Sequence, residues 1–426
     1  MTERTKSSIP FVGLHAHSVA GSPFDALGYP GQHMDYAHQN GMDALALTDH
    51  GNCNGLGYQV LHAKKMKEQG KNFKPIFGVE AYFIPSLDAW NQERDKAKED
   101  KKRASELKDS TTMSVENEGE TKRSKSILNQ RSHLILLAQN QTGLNNIFAM
   151  ISKSNSDKYF FRYPRVDYEV LREHSEGVIA ASACMGGVYA ANFWKFWDNE
   201  NECITDQGGC EDAFRDTTKK MVDIFGDRWY GELQWHTDKK QHMINNLVIK
   251  MHKEFGIKLI STADSHYPTP DTWKDRELYK RLGFLGKGKP SWLSDELPES
   301  VAEVGYELYP KNGDQMWESY KHYTELNGVE YDDDLVMDSI TETHNIAFNR
   351  IEEFMPDNEV RLPSFVVPDG YTADAALETT SLESLNKLGL LTNPEYKARL
   401  EEELSVISDR GFSKYFLTMK AIADTA

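Results

Sequence analysis

The chain has 426 residues, 39% hydrophobic and 27% charged, and its 49 Lys and Arg against 66 Asp and Glu give a formal net charge of −17. This length predicts two or more domains, or one large barrel with additions. The excess of acid excludes a broad basic surface that would hold DNA, because Lys and Arg neutralise phosphate. No apolar run approaches the ~20 residues of a membrane span and the start does not resemble a signal peptide, so we expect a cytoplasmic protein without a membrane partner.

Short apolar runs alternate with longer amphipathic stretches between Phe11 and His266. The runs are FVGLH, ALALTDH, PIFGVEAYF, HLILLAQN, VIAASAC, WYGELQW and KLISTADSH. Buried strands alternating with helices predict a parallel α/β sheet, and their number favours a seven-stranded β/α barrel. Six runs end in His, Asp, Glu or Cys, at the edge where β/α barrels have their active sites. His133 instead precedes its run, so either that strand runs in the opposite direction or His133 comes from a loop.

The remaining sequence differs from this pattern in two places. Residues 86–131 mix charges of both signs with few apolar residues, which predicts a solvated surface insertion, helical in its first half and mobile in its second. Beyond Pro270 a Gly- and Pro-rich stretch precedes acidic amphipathic helices. We therefore place a boundary near residue 280, between a barrel domain over residues 1–280 and a mainly helical segment over residues 281–426.

The side chains at the strand ends form a set of candidate metal ligands. His15 and His17 lie two residues apart on an extended run, so both imidazoles can face one ion. The other candidates at or beside strand ends are Asp25, Asp49, His50, Glu80, His133, Cys184, Asp264 and His266. This mixture of nitrogen, oxygen and sulfur atoms matches zinc or manganese and exceeds what one tetrahedral ion needs. A cluster of two or three ions suits phosphodiester hydrolysis, because neighbouring ions activate water and neutralise phosphate.

Each candidate alone also fits a structural role, such as a packed core histidine, a helix cap or, for Cys184, a small buried hydrophobe. The joint pattern favours metal, because buried acids repeated at one sheet edge need a compensating cation. Glu232 and His236 fit a place behind the ligands or facing a substrate. Cys203 and Cys210 have no second pair nearby and are expected to be free thiols. No Walker loop, GxGxxG or GxSxG motif supports an NTPase, a dehydrogenase or a serine hydrolase.

The motifs HAH, TDHGN, GVEAY, HLILLAQN, ASACMGG and TADSHY, in this order, resemble the polymerase and histidinol phosphatase (PHP) domain at the amino terminus of bacterial and phage DNA polymerase III alpha subunits. The stretches ELYPKNGDQM, LPSFVVPDGYTA and YKARLEEELSVISDRGFSKYFLTMKAIADTA are similar to the segment that leads into the palm of these C-family polymerases. The resemblance implies a distorted seven-stranded barrel followed by the first part of a palm.

The resemblance also implies a set of nine metal ligands, with the motifs placing a matching residue at each position. These are His15, His17, Asp25, His50, Glu80, His133, Cys184, Asp264 and His266. The loop around Asp25, GSPFDALGYP, departs from the usual family pattern. Asp49, Glu232 and His236 remain candidates behind this set. Two or three ions per chain are expected, zinc or manganese, with magnesium also open.

Family members that keep all nine ligands act as metal-dependent 3′–5′ exonucleases able to proofread, so the resemblance implies this activity, with DNA and other replisome subunits as partners. The GRGS-type motif and the catalytic aspartates of the palm do not occur before Ala426. Polymerase activity is therefore expected only together with a C-terminal polymerase part. Two alternatives stay open: a non-enzymatic scaffold stabilised by metal, and a stand-alone phosphatase.

Overall fold

A computed structural model describes residues 4–109, 128, 130–285, 296–357, 359, 365–367 and 369–425. The chain forms two compact units, Met1–Pro356 and Asp357–Ala426. The second half of the charged insertion, expected to be mobile, and residues 286–295 of the Gly- and Pro-rich stretch lie outside the described residues. This division into compact units does not test the predicted boundary near residue 280 between a barrel domain and a polymerase segment. That boundary stays a prediction.

The strands and helices follow the predicted alternation. The strands are β1 (Ala44–Leu47), β2 (Lys74–Phe83), β3 (Ser132–Ala138), β4 (Phe160–Phe161), β5 (Tyr163–Pro164), β6 (Val178–Ala181), β7 (Trp197–Asp198), β8 (Cys203–Ile204), β9 (Trp229–Leu233) and β10 (Lys258–Ser261). The helices are α1 (Pro30–Gln39), α2 (Leu56–Glu68), α3 (Leu87–Asp109), α4 (Gln141–Ser154), α5 (Tyr168–Glu173), α6 (Val188–Phe196), α7 (Gln207–Phe225), α8 (Lys239–Phe255), α9 (Trp273–Leu282), α10 (Val301–Val304), α11 (Gly313–Asn327), α12 (Asp333–Asn345), α13 (Ala373–Lys387), α14 (Pro394–Asp409) and α15 (Ser413–Thr425). A π-helical turn, Ile346–Arg350, continues α12.

The main sheet has the strand order β1-β2-β3-β6-β9-β10. Neighbouring strands are parallel except at β3, which pairs antiparallel with both β2 and β6. The predicted α/β class is therefore confirmed, with one reversed strand. The reversal resolves the question that the position of His133 left open, because the start of β3 lies at the sheet edge where the other strands end.

The first predicted strand joins the two edges of this sheet. It is attached by single parallel bridges, Gly13 with Leu45 of β1 and Ala16 with Ser265 beyond β10. His17 N donates to Ser265 O at 2.7 Å. The run touches each neighbour at too few points to form a ladder, so the predicted seventh strand is an extended segment that links β1 to the end of β10.

The core has one layer inside the curved sheet and another between the sheet and its helices. Along β3, Leu134 and Leu136 pack outward against the helices, while Ile135 and Leu137 pack inward. Period-2 alternation with apolar residues on both faces is expected for a sheet covered on both sides. Inward side chains from the other runs complete the inner layer: Val12, Ile76, Ile179, Tyr230 and Ile260.

Local signals explain several helix ends. Asn140 caps α4 by accepting a hydrogen bond from Gly143 N at 3.1 Å. α8 ends at Gly256, which adopts a left-handed conformation with φ of 68°. The first half of the charged insertion is helical, as predicted, and forms α3. No helix within the described ranges is long and apolar enough to cross a membrane.

The second unit, considered alone, contains α13, α14 and α15. Its small core is formed by Ala376, Leu377 and Leu417, with Leu404 and Ile407 packed against them. Acidic residues and exposed apolar side chains share the outer faces of these helices. Helix α14, PEYKARLEEELSVISD, is one of the acidic helices predicted for this part of the chain.

Candidate metal centre

The structure brings all nine sequence-predicted ligands together at one end of the barrel. They are His15, His17, Asp25, His50, Glu80, His133, Cys184, Asp264 and His266, and each lies within 4.0 Å of another member. Most follow the carboxyl ends of their strands, and His133 reaches the same place because β3 runs in the opposite direction. The barrel thus brings together residues that lie up to about 250 positions apart in the sequence. The geometry places the predicted residues together, while metal binding by them stays a prediction.

Glu80 occupies the middle of this cluster. Its Oε1 lies 2.9 Å from His133 Nδ1 and 3.3 Å from His15 Nε2, and its Oε2 faces His50 Nδ1 and lies 3.8 Å from His17 Nε2. Glu80 is fully buried on the inward face of β2, opposite Ile135 of β3. One carboxylate with imidazoles on both oxygens can bridge two adjacent ions.

The ligand atoms form three overlapping groups, in each of which all the atoms lie within 4.8 Å of one another. The groups are His15, His17 and Glu80; His17, His50 and His266; and His50, Glu80 and His133. Because His17, His50 and Glu80 are each shared by two groups, the three candidate sites adjoin one another. Overlapping groups of this kind differ from the separate four-ligand set of a single closed site. The number of ions stays a prediction.

Two orphaned oxygens show that the cluster fits cations. Glu80 Oε1 and Asp264 Oδ1 are buried and have no hydrogen-bond partner within the described part of the chain. Asp264 Oδ1 nevertheless lies 3.0 Å from His15 Nε2 and 3.2 Å from His17 Nε2, and these two nitrogens are themselves 3.1 Å apart. Buried carboxylate oxygens without a hydrogen-bond partner, crowded together with imidazole nitrogens, would be compensated by a cation.

The electrostatics of the cluster indicate the same need. Burial lowers the pKa of His15, but the carboxylates of Asp264 and Glu232 outweigh it, so the pKa lies well above its usual value. For His17, burial and the charge of His50 hold the pKa well below the usual value. The carboxylates thus favour a positive charge at His15, whereas the neighbouring imidazoles disfavour protonation of His17. A divalent ion satisfies both demands because neutral imidazole is its ligand.

Cys184 is the sulfur atom of the cluster. Its Sγ lies 4.0 Å from His133 Nδ1 and accepts a hydrogen bond from Gly186 N at 3.4 Å. Burial raises the pKa of the Cys184 thiol well above its usual value, and the charges of Asp264 and Glu80 raise it further. The thiolate form therefore requires a nearby cation, which a bound metal ion would supply.

Asp25 comes from the atypical loop and is held in place by Arg276 of α9. Asp25 Oδ2 lies 3.1 Å from His50 Nε2 and 3.5 Å from His266 Nε2. Arg276 Nη2 donates to Asp25 Oδ1 at 2.7 Å, and Arg276 Nε donates to Asp25 O at 2.8 Å. Arg276 is buried, and sequence reasoning missed it because no motif distinguishes it from the other basic residues of α9.

Glu232 and Asp49 lie behind the ligands, as the sequence allowed. Glu232 Oε1 accepts from His15 Nδ1 at 2.7 Å, which leaves His15 Nε2 directed at the cluster. Asp49 accepts from Ser18 N at 2.6 Å and from Ser22 Oγ at 2.9 Å, and burial raises the pKa of Asp49 to about 6. Asp49 therefore fixes the loop beside the ligands.

A cavity of about 550 Å³ opens onto the cluster. His236 lines it, and burial lowers the pKa of His236 to about 4, so this ring is neutral. Gln234, Arg276 and Tyr306 line the same cavity and were not predicted from the sequence. Cys203 and Cys210 form no disulfide with one another.

The fold and this centre define a class: α/β barrels that collect histidines and carboxylates at the carboxyl ends of their strands. Residues 13–236, more than half of the chain, match the PHP domain. The chain belongs to the PHP domain family.

The similar proteins align with different fractions of the chain. It is 28% identical over 423 residues to the DNA polymerase III subunit alpha of Aquifex aeolicus and 28% identical over 417 residues to that of Borreliella burgdorferi. These matches cover 96% of this chain but 31% and 29% of the relatives, so the chain spans less than a third of their length. The predicted resemblance to these subunits is confirmed. A candidate metal-dependent phosphoesterase from Bifidobacterium adolescentis, 10% identical, aligns with a TM-score of 0.34 over 70% of this chain and 96% of its own.

Proposed function

We propose that this chain is a metal-dependent phosphoesterase that removes nucleotides from the 3′ end of DNA. One observation carries the proposal: three groups of ligand atoms adjoin one another at the end of an open cavity, with buried carboxylate oxygens that have no hydrogen-bond partner within the described residues. The relatives named DNA polymerase III subunit alpha support DNA as the substrate and replisome proteins as partners, in the cytoplasm.

Two or three divalent ions would be held by the nine residues that converge at the barrel end. The nitrogen, oxygen and sulfur atoms fit zinc or manganese best, with magnesium as a further candidate. When bound, such ions supply Lewis acidity toward a phosphodiester and neutralise its charge.

Residues around the ligands have separate tasks. Glu232 holds the proton of His15 on Nδ1, so that Nε2 keeps a lone pair for binding. Arg276 orients Asp25 through two hydrogen bonds. The neutral ring of His236 and the amide of Gln234 line the space that a terminal nucleotide would occupy.

The test is hydrolysis of a primer with a mispaired 3′ end by purified protein of known metal content. We expect stepwise loss of 3′ nucleotides with zinc or manganese, and loss of this activity in Asp264→Asn. A phosphomonoester offered in parallel measures the stand-alone phosphatase alternative. Absence of cleavage by protein that has bound metal would refute the proposed nuclease.

The scaffold alternative rests on apolar side chains exposed on the second unit. Val406 is 58% exposed, Met419 46% and Ile422 57%. Exposed apolar residues on successive helices are typical of a protein interface. If metal removal unfolds a protein that never cleaved DNA, the metal has a structural role and the scaffold function is favoured.

A further inference from the structure

A short hairpin beside the metal centre combines aromatic and basic side chains. Strands β4 and β5 pair Phe160 with Pro164 and Phe161 with Tyr163, which leaves Arg162 alone at the tip. Arg162 has a φ of 62°, a left-handed conformation that is unusual for a large side chain. Phe160 and Tyr163 are 42% and 36% exposed. The guanidinium of Arg162 lies 5.4 Å from the centroid of the Phe161 ring. The hairpin therefore combines an exposed cation with exposed aromatic rings.

Arg165 holds this hairpin rigidly. Its buried guanidinium donates to Phe161 O and to Tyr163 O, both at 2.9 Å, and so fixes the carbonyls on either side of the tip. Arg94 of α3 donates to Asp157 O at 2.8 Å just before the hairpin. These hydrogen bonds compensate the unusual backbone of the tip, and a strained conformation held in this way points to a functional role.

A series of ring contacts connects the hairpin to the metal ligands. The rings of His50 and Tyr82 lie parallel with centroids 6.3 Å apart, and the rings of Tyr82 and Tyr163 meet edge to face at 5.3 Å. The guanidinium of Arg131 lies 4.0 Å from the centroid of Tyr163 and 5.5 Å from that of Tyr82. The hairpin is thus two ring contacts away from a candidate metal ligand.

The charge of this surface is opposite to that of the chain. Residues 158–165, KYFFRYPR, contain no acidic residue, and two of their three basic residues, Lys158 and Arg162, are exposed, whereas the chain carries a net charge of −17. Arg131 and Arg162 are exposed, and neither makes an ion pair with a carboxylate in the described ranges. Basic side chains that are not neutralised by neighbouring acids remain available for phosphate groups.

We infer that Tyr82, Arg131, Phe160, Arg162 and Tyr163 form a platform that binds single-stranded DNA and directs its 3′ end toward the metal centre. The inference rests on the proposed function, because it identifies the surface on which the proposed nuclease would bind its DNA strand. Exposed aromatic rings stack on unpaired bases of any sequence, while arginines contact the intervening phosphates. Bases in a duplex are already stacked on one another, so the platform favours a frayed or mispaired end.

The test measures binding separately from hydrolysis. The full chain is titrated with fluorescent oligo(dT) whose 3′-terminal linkages are phosphorothioate, and anisotropy is recorded over a range of salt concentrations. Arg131→Gln and Arg162→Gln remove the charge and keep a polar side chain with the same first three carbons. Each is expected to lower the slope of log Kd against log salt by about 0.7, the value for one phosphate contact on a single strand. Arg172→Gln, an exposed arginine of α5, is the matched control and should leave the slope unchanged.

Tyr163 tests the stacking component. Tyr163→Leu should weaken binding by roughly 5- to 150-fold, the range for loss of one base stacking on a ring, while Tyr163→Phe should bind like the wild type. Recovery by phenylalanine separates loss of the ring from loss of folding. Retained binding without any hydrolysis would leave the platform intact and refute only the nuclease. Slopes in both arginine variants equal to that of Arg172→Gln, or equal affinity for single-stranded and duplex DNA, would overturn the platform.

Discussion

Replacing Glu232 with glutamine, Glu232→Gln, is expected to weaken metal binding without removing a ligand. Glu232 Oε1 accepts from His15 Nδ1 at 2.7 Å, from Gln234 Nε2 at 2.9 Å and from Thr262 Oγ1 at 2.5 Å. Its Oε2 is buried and has no partner within the described part of the chain. Glutamine has nearly the same shape but carries an NH2 group in place of one oxygen and lacks the negative charge.

The size of the effect follows from these contacts. If the glutamine oxygen takes the position of Oε1, the NH2 group is buried without an acceptor, which costs about 1–3 kcal/mol. If the amide is reversed, the NH2 group faces three donors and His15 loses the acceptor that orients it. Loss of a carboxylate behind a ligating histidine typically lowers metal affinity 10- to 100-fold. This corresponds to about 1.4–2.8 kcal/mol.

The assay is competition for zinc with a chromophoric chelator, together with metal analysis of the purified variant. Wild type and Glu232→Gln should bind the same number of ions, with the variant 10- to 100-fold weaker. The matched control is Glu342→Gln, which removes a carboxylate that accepts from Lys258 Nζ at 2.8 Å, beside the start of β10 and so at the opposite end of the barrel. Affinity of Glu232→Gln within twofold of the control would refute the orienting role.

Three further predictions concern the centre, the backbone and the buried charges. Cys184→Ser should lower zinc affinity at least tenfold and manganese affinity much less, because sulfur is a soft ligand that suits zinc better than manganese. Titrations of wild type and variant with both metals measure these losses, and an equal loss for the two metals would contradict the prediction. Gly143→Ala should cost roughly 1–3 kcal/mol in urea unfolding, because the new Cβ would lie 1.8 Å from Gly177 O, whereas Gly57→Ala meets nothing within 4 Å and should not destabilise. Lys311→Met should stabilise the protein at pH 7. Burial lowers the folded pKa of Lys311 from 10.5 to about 8, so the unfolded chain binds this proton more tightly than the folded protein does. The resulting destabilisation is absent above pH 10.5, grows as the pH falls and is complete below pH 8. Equal stability of wild type and Lys311→Met at pH 7 in urea titrations would contradict this assignment.

The convergence of the nine candidate ligands could be predicted because each strand end carries its own local signal. An apolar run followed by a polar side chain marks both a buried strand and the residue that emerges at the sheet edge, as in Glu80 and Asp264. Strand direction has no such signal, because it is decided by which neighbours pair. His133 could therefore be assigned to the centre, while the reversal of β3 became visible only in the pairing with β2 and β6.

Arg276 and the hairpin could not be predicted, since their roles depend on contacts between distant parts of the chain. Arg276 reaches Asp25 across 251 residues, and within α9 it looks like any basic residue of an amphipathic helix. Arg165 fixes a turn through backbone carbonyls, which every sequence offers equally. Such residues are found from a structure by asking where a buried guanidinium places its donors.

The net charge of −17 does not predict the local charge at the candidate metal centre or at the hairpin, because acidic and basic residues are distributed unevenly along the chain. At the barrel end, Glu80 and Asp264 are buried among imidazoles, where divalent cations would reverse the sign of the local field. At the hairpin, Arg131 and Arg162 have no acidic partners within the described residues. Both features make phosphate locally favourable on a chain that repels it overall. Salt should therefore affect the two sites differently: screening weakens exposed arginine contacts strongly but buried ligand contacts much less. A high-salt condition that abolishes binding of oligo(dT) while metal content stays constant is the expected signature of this separation.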